Sequence, residues 1–199
     1  MLYIVAVAIG IIAGKLAGGK IANLAELKLE KTWIIITAFL IQATAQILGL
    51  NGFGFISRYS FVIQAIVFCL LFSGFWINRR YLGILFIGIG CLLNALVMMF
   101  NGGKMPVKES ILISQGATPE IIEQVRLGLD GKHSLINDST RLVFLSDIIE
   151  TPPVLDWMMQ IISLGDIIVV IGLCVLIFEV TKDGNAPYKA GGFNSEKAN

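Results

Sequence analysis

The chain has 199 residues, of which 56% are apolar and 15% charged, and its mean hydropathy is +0.81. Soluble domains usually have about 45–50% apolar and about 25% charged residues. This composition excludes a cytosolic enzyme, a secreted disulfide-stabilised domain and a disordered chain. The net charge of +1 provides no basic surface for nucleic acid, so no such partner is expected. The sequence predicts an integral membrane protein whose first partner is the lipid bilayer.

The chain contains five apolar segments that approach the length of about 20 residues needed to cross a hydrocarbon core of about 30 Å as a helix. The first is short, and Lys15 near its end would have to extend toward the headgroups. We predict an all-α fold, an integral membrane bundle of five transmembrane helices within a single domain over residues 1–181. The predicted spans are residues 2–17, 33–50, 59–77, 81–100 and 159–180.

The distribution of Lys and Arg in the short connections predicts the orientation, because cytoplasmic loops carry an excess of these residues. Nine of them fall on one side of a five-span chain, whereas the short loop on the other side has only Arg58. The N-terminus is therefore expected outside and the C-terminus inside. Residues 102–157 would then form an extracytoplasmic cap between helices four and five, and residues 182–199 a flexible cytoplasmic tail.

The first helix has small residues at every fourth position, including Gly10, Gly14 and Gly18. Such a pattern lets two helix backbones approach closely in lipid. We therefore predict a close-packing face, which could meet another helix of the bundle, a second copy of the chain or a membrane protein partner.

Amide side chains occur at intervals along the next three helices, at Gln42, Gln46, Gln64 and Asn94. An amide in hydrocarbon without a partner costs several kcal/mol, so these residues must face other helices or a wet cavity. Two interpretations stay open: hydrogen bonds that hold the bundle together, or a polar-lined pocket. No Lys, Arg or Glu lies deep in these helices, which argues against an ion pump.

The fourth helix ends in Asn101, Gly102 and Gly103, followed by Pro106. Two glycines after a helix allow a left-handed cap and a close backbone approach. The segment is therefore either a tight helix stop or a cluster of backbone donors that faces a ligand.

Within the predicted cap, Thr118 and Pro119 form a helix start, and Gly131 follows the apolar positions. We predict a short amphipathic helix of about 11 residues, which would lie over the bundle or on the membrane surface and make a lid.

The remainder of the cap offers acid, base and hydroxyl groups, among them His133, Asp138, Arg141 and Asp147. Their spacing matches no nucleophile motif, since neither GxSxG nor HExxH is present. Whether the protein is an enzyme therefore stays open, and no catalytic residue is assigned. The cysteines form no CxxC pair and no cluster with the single histidine, so no metal site is predicted and the cofactor is unknown.

Asp166 is the acidic residue that must lie within a predicted span. It could be the N-cap of a shorter helix that starts at Ile167. It could also contact a ligand or ion, in a pair with Arg141, because intramembrane carboxylates are candidates for functional sites. The two roles are compatible.

Several motifs in order resemble an uncharacterised family of small multi-pass membrane proteins of clostridia and related bacteria. They are the segment 18–27 followed by Trp33, the Gln42 helix, residues 101–107, residues 138–142 with 145–149, and residues 164–167. The resemblance covers residues 1–180 and implies a bacterial plasma membrane location. It implies no particular activity.

Together these features predict a pocket near the outer leaflet that binds, or helps to transport, a small amphiphilic or lipid-like ligand. One alternative is a membrane-embedded enzyme that acts on a lipid or isoprenoid substrate. Another is an accessory subunit of a larger membrane complex, docked through its glycine-rich first helix. The residues predicted to line the ligand pocket are Asn101, Gly102, Gly103, Arg141, Asp147 and Asp166.

Overall fold

The computed structural model describes residues 2–50, 53–150 and 161–184, and this part of the chain is mostly helical. The long helices are α1 (Leu2–Leu16), α2 (Thr32–Leu50), α4 (Ser60–Ile77), α5 (Leu82–Phe100) and α8 (Leu164–Asp183). The short helices are α3 (Gly54–Arg58), α6 (Glu109–Ser114) and α7 (Pro119–Arg126). The strands are β1 (Met105–Val107), β2 (His133–Leu135), β3 (Ile149–Glu150) and β4 (Ile161–Ile162).

Four of the long helices, α2, α4, α5 and α8, are long and apolar enough to cross a membrane. Their outward faces carry large apolar side chains that a bilayer would cover, such as Leu40, Phe61 and Ile89. The prediction of a membrane-embedded protein is therefore supported. Helix α1 has 15 residues and extends for about 22 Å at about 1.5 Å per residue, less than a core of about 30 Å. A fifth span therefore stays a prediction.

Helices α5 and α8 run antiparallel and are packed backbone to backbone at several glycines. A Cβ atom at Gly172 would lie 2.6 Å from the backbone nitrogen of Ile87 and 2.9 Å from the carbonyl oxygen of Gly83. Gly90 faces Gly165 in the same way farther along the pair. Glycine thus sets the interhelical distance, as expected for helices that associate in lipid.

Helix α1 lies alongside α8 through the glycine face that its sequence predicts. A Cβ at Gly10 would lie 2.7 Å from the Cys174 carbonyl oxygen, and one at Gly14 would lie 2.6 Å from Thr181 Cβ. Gly18 differs from the prediction, because it follows the end of α1 with a φ of +89° and has no neighbour that a Cβ would touch. Its role is to turn the chain, and α8 itself occupies the glycine face.

The α1–α2 connection contains a 3-10 helix over Ile21–Glu26. Its Leu24 packs against a cluster at the ends of α5 and α8 that includes Tyr81 and Val180. The fully buried Asn78 fixes the link to α4, since its side chain exchanges two hydrogen bonds with the backbone of Glu30, at 2.8 and 3.0 Å.

The described residues between α5 and α8 fold over the end of the bundle that holds the start of α1; we call this end the cap end. Strands β1 and β2 pair in parallel, with Met105 opposite His133. Helix α7 begins after Thr118, as predicted, and buries Ile122 and Val125 against β1 and α6. The prediction of an all-α fold was incomplete, because the cap contains two small sheets.

The last long helix begins later than predicted. It starts at Leu164, with Ser163 as its N-cap, and the two residues before that form strand β4, which pairs antiparallel with β3. The predicted start of this span at residue 159 and the predicted tail beyond residue 184 lie outside the described residues.

Candidate functional site

The cap and the cap-end segments of α1, α5 and α8 enclose a cavity of about 470 Å³, which we call the cap cavity. It combines ionisable and amide side chains with apolar ones, at the level where the bundle meets the cap. Its lining residues are Leu2, Tyr3, Asn94, Met98, Met105, Gln115, Lys132, His133, Asp147, Ile161, Ile162 and Asp166.

Asp166 is held on the cavity wall by hydrogen bonds from two elements. Its Oδ1 accepts from Asn94 Nδ2 of α5 at 2.9 Å. Its Oδ2 accepts from the Ser163 backbone N–H at 3.0 Å, while its own N–H donates to Ser163 Oγ at 3.0 Å. This reciprocal pair is a capping box, which satisfies the free donors at the start of α8. Asp166 is therefore the third residue of the helix and not its N-cap, and it is not paired with Arg141.

Asp147 reaches the cavity from the cap. Its backbone N–H donates to the Pro106 carbonyl at 2.9 Å, beside a β-bridge to Val107. The residue is only 6% exposed, and its Oδ1 atom has no hydrogen-bond partner among the described residues. Burial, followed by the nearby Asp166 carboxylate, raises the pKa of Asp147 to about 7, against a smaller opposite effect of Lys132. A buried, unpaired carboxylate oxygen is costly unless a ligand or a proton satisfies it.

His133 lies between two carboxylates. Its Nδ1 is 3.2 Å from Asp130 Oδ2, and its Nε2 is 4.0 Å from Asp147 Oδ2. Burial alone would raise the pKa of Asp130, but hydrogen bonds from the His133 side chain and from two backbone N–H groups outweigh it and lower the pKa to about 2. Asp130 therefore orients the imidazole so that its other nitrogen points toward Asp147.

Two further cavities adjoin the cap cavity. A cleft of about 260 Å³ extends between α2, α4 and α5 and shares Asn94, Met98, Lys132 and Asp166 with the cap cavity; we call it the interhelical cleft. A smaller pocket of about 180 Å³ beneath α7 shares Lys132 and His133. Lys132 thus lines all three spaces, and no described carboxylate lies within 4.0 Å of its ammonium group.

The amide residues of the helices line these spaces. Gln42 and Gln64 lie on the wall of the interhelical cleft, and Gln46 lies on the wall of the pocket beneath α7. The Gln42 Oε1 atom is buried without a partner among the described residues. Asn94 faces the cap cavity and bonds Asp166. Of the two open interpretations, a polar-lined pocket fits the glutamines better than hydrogen bonds between helices. Asn94 fits both, because it lines the cap cavity and also bonds Asp166 of another helix.

Four residues predicted to line the pocket lie elsewhere. The Asn101 side chain binds the backbone of Arg141, with distances of 2.9 and 3.0 Å, and so ties the cap to the end of α5. The Arg141 side chain is exposed. Gly102 accepts a hydrogen bond from Ser60, and Gly103 lies against the backbone of Phe61 at a φ of +83°. Asn101, Gly102 and Gly103 therefore make a tight helix stop, because the polar groups of Asn101 and Gly102 form hydrogen bonds within the protein.

Sequence reasoning missed Tyr3, Lys132 and Ser163 as residues of this site. The spacing of Ser163 and Asp166 matches the S-x-x-D/E form of a capping box, so that signal was available. Nothing local marks Tyr3 or Lys132, since each reaches the cavity only through tertiary packing.

Metal ligation finds no support in the part of the chain that the structure describes, where no three His, Cys, Asp or Glu side chains come together as ligands. The three cysteines are free thiols on α4, α5 and α8.

Comparisons with known proteins agree with this description of the chain. A family model described as "Family of unknown function (DUF5317)" matches residues 26–178. An "Uncharacterized protein" of Thermotoga maritima is 36% identical over 122 residues, which are 61% of this chain and 64% of that protein, so the match spans just under two thirds of its length. No solved structure matches. The predicted resemblance to an uncharacterised family is confirmed: the chain belongs to the DUF5317 family of unknown function.

Proposed function

We propose that this protein binds, or helps to transport, a small amphiphilic or lipid-like molecule, with its polar head in the cap cavity and its tail in the interhelical cleft. The observation that carries the proposal is that the two spaces lie side by side and share four lining residues, Asn94, Met98, Lys132 and Asp166. The ionisable side chains of the cap cavity suit a polar head group. The neighbouring interhelical cleft, lined by Val67, Phe68 and Leu71, suits an apolar tail.

The same proposal includes the placement of the site. With five spans and the N-terminus outside, the cap end faces the exterior of a bacterial plasma membrane and the ligand enters from the outer leaflet. The basic residues near the opposite end, such as Lys28 and Arg80, support this orientation. Asp147 and Asp166 are retained as ligand contacts, and His133 and Lys132 join them.

A tail-labelled probe tests the proposal directly. A dodecyl amphiphile with a photoactivatable group at the end of its tail should form adducts on Val67 and Leu71, which are buried and border the cleft. An excess of unlabelled amphiphile should remove these adducts. Adducts on lipid-facing Leu40 and Val62 are the reference, because free competitor should leave them nearly unchanged.

The Asp166→Asn variant tests whether a change at the head end of the site weakens binding of the tail. It should weaken the competitor-sensitive adducts about ten-fold, because a charge-assisted hydrogen bond is worth about 1.5–3 kcal/mol, while its thermal midpoint is measured to show that α8 stays capped. Adducts restricted to the lipid-facing positions would contradict the proposal.

A second candidate function, a membrane-embedded enzyme, is favoured by one observation. His133 is oriented by Asp130 and points Nε2 toward Asp147 at 4.0 Å, which is an arrangement suited to general acid–base chemistry on a lipid or isoprenoid substrate. Turnover that falls at least about 100-fold in His133→Ala, with amphiphile binding unchanged, would favour the enzyme over a binding protein.

The accessory-subunit alternative needs a surface other than the one predicted. Helix α8 occupies the Gly10 and Gly14 face of α1, so a membrane protein partner or a second copy would have to dock elsewhere. Retained co-purification of a partner in Gly10→Leu would therefore say nothing about that other surface, and the photoadducts above remain the deciding measurement.

A further inference from the structure

We propose that the cap cavity selects a zwitterionic head group, with an ammonium group on Asp147 and an anionic oxygen of a phosphate or carboxylate on Lys132. This inference rests on the proposed function, because it names the head group of the same ligand. Both residues lie on the wall of one cavity of about 470 Å³, and with Asp147 ionised they carry opposite charges that the described protein does not pair with each other.

The cationic part of the head group is assigned by Asp147. Its backbone is held by the β-bridge to Val107 and the residue is 6% exposed, yet Oδ1 has no partner among the described residues. Folding has therefore already removed water from this oxygen, and an N–H donor from a ligand recovers the lost hydrogen bond. His133 faces the other oxygen, Oδ2, at 4.0 Å and leaves Oδ1 available.

The anionic part is assigned by Lys132. Its ammonium group has no carboxylate within 4.0 Å among the described residues, although Asp147 and Asp166 line the same cavity. A lysine ammonium is a compact, flexible charge that suits phosphate or carboxylate oxygens. Lys132 also borders the interhelical cleft, so an anionic group bound there lies at the junction between head and tail.

The remaining charges of the cavity disfavour a head group of single sign. A purely anionic head would meet the Asp147 and Asp166 carboxylates, and a purely cationic head would meet Lys132. Asp166 is a second carboxylate of the wall, and because Asn94 and Ser163 already donate to its oxygens, the unpartnered oxygen of Asp147 stays the first acceptor for the ammonium group. An ammonium next to a phosphate or carboxylate satisfies both charges at once.

Tail-matched probes test this inference on the full-length protein in maltoside detergent. Native mass spectrometry is used to titrate dodecylphosphoethanolamine, dodecyl phosphate and dodecylamine, which share one tail and differ only in the head. The zwitterionic probe should bind about ten-fold or more tightly than either singly charged probe. Phosphoethanolamine without a tail is the fourth probe, and it should bind at least about ten-fold more weakly, which distinguishes a lipid from a soluble head group.

Two variants should lose affinity for oppositely charged probes. Lys132→Met should weaken the zwitterionic and phosphate probes about ten-fold and leave dodecylamine unchanged or tighter. Asp147→Asn should weaken the zwitterionic and amine probes by a similar factor and leave dodecyl phosphate unchanged or tighter. The matched controls, Lys108→Met and Asp138→Asn, change the same residue types at exposed positions of the cap and should alter no probe.

The outcomes separate the two proposals. Equal affinity for the three tailed probes, together with competitor-sensitive adducts in the cleft, would overturn the zwitterion and leave the amphiphile site standing. Loss of all probe binding in both variants, with thermal midpoints unchanged, would also overturn the assignment of separate charges. No saturable binding of any probe to the unaltered protein would overturn the proposed function itself.

Discussion

Asp147 is the residue whose environment has the largest consequence for the behaviour of the cap. The chain holds it through its own backbone, which bridges to Val107, and the residue is only 6% exposed. Burial and the Asp166 carboxylate raise its pKa to about 7 from an ordinary value of 3.8. The native protein therefore retains a proton that the unfolded chain releases.

This difference predicts a dependence of stability on pH. Because the native pKa of Asp147 is raised, folding stability should fall as the pH rises from about 4 to about 7, by a total on the order of 4 kcal/mol. The Asp147→Asn variant should lose most of this decline and should be more stable than the unaltered protein at about pH 8.

Thermal midpoints in detergent between about pH 5 and about pH 8 check this expectation, with exposed Asp138→Asn as the control. The other charged groups that face the site, Lys132, His133 and Asp166, are unchanged in both variants. If folding stability declined with pH by the same amount in Asp147→Asn, one of these other groups and not Asp147 would be responsible for the decline.

At the scale of elements, glycines decide how closely α5 and α8 approach. The hydrogen bonds of Asn94 to Asp166 at one end and of Glu179 to the backbone N–H groups of Leu82 and Gly83 at the other require this short interhelical distance. Glu179 also places a carboxylate at the N-terminus of α5, where the helix dipole favours negative charge. The helix pair thus positions one wall of the cap cavity.

Gly172→Ala should weaken this pair. The added Cβ would lie 2.6 Å from a backbone atom of Ile87, which cannot move away as a flexible side chain would, so a loss of about 1–3 kcal/mol is expected from overpacking. Gly88→Ala on α5 is the matched control, because its Cβ would meet only Phe75 at 3.8 Å, and it should be neutral or slightly stabilising. Thermal unfolding in detergent compares the two, and an equal midpoint for both would contradict the backbone contact.

At the scale of the whole molecule, the alternation of helix directions brings the start of α1 and the start of α8 to the same end as the cap. Tyr3 and Asp166 consequently line one cavity although they are far apart in sequence. The opposite end gathers Glu30, Asn78 and Arg80, which fix the first connection to α4 and α5. The two ends therefore differ in chemistry, and only the cap end encloses the polar cavity of about 470 Å³ within the described ranges.

Accessibility from the two sides of the membrane tests the proposed orientation. After its three cysteines are replaced by alanine, the chain receives one new cysteine, by Asp138→Cys in the cap or by Lys28→Cys at the opposite end; both sites are exposed. In intact spheroplasts, a membrane-impermeant maleimide should label the cap variant and spare the other until the cells are opened. The reverse pattern would invert the proposed topology.

The sequence by itself determined the membrane environment, the four helices long enough to span a bilayer, the start of α7 and the family, because each depends on local composition, periodicity or a contiguous motif. It also identified Asp147 and Asp166 as unusual acids. Only the tertiary structure decided that these two meet Lys132 and Asn94 around one cavity, while Asn101 and Arg141 bind each other. Such contacts join residues tens of positions apart. They depend on the register of β1 with β2 and on glycine contacts between helices, and hydropathy along the chain encodes neither.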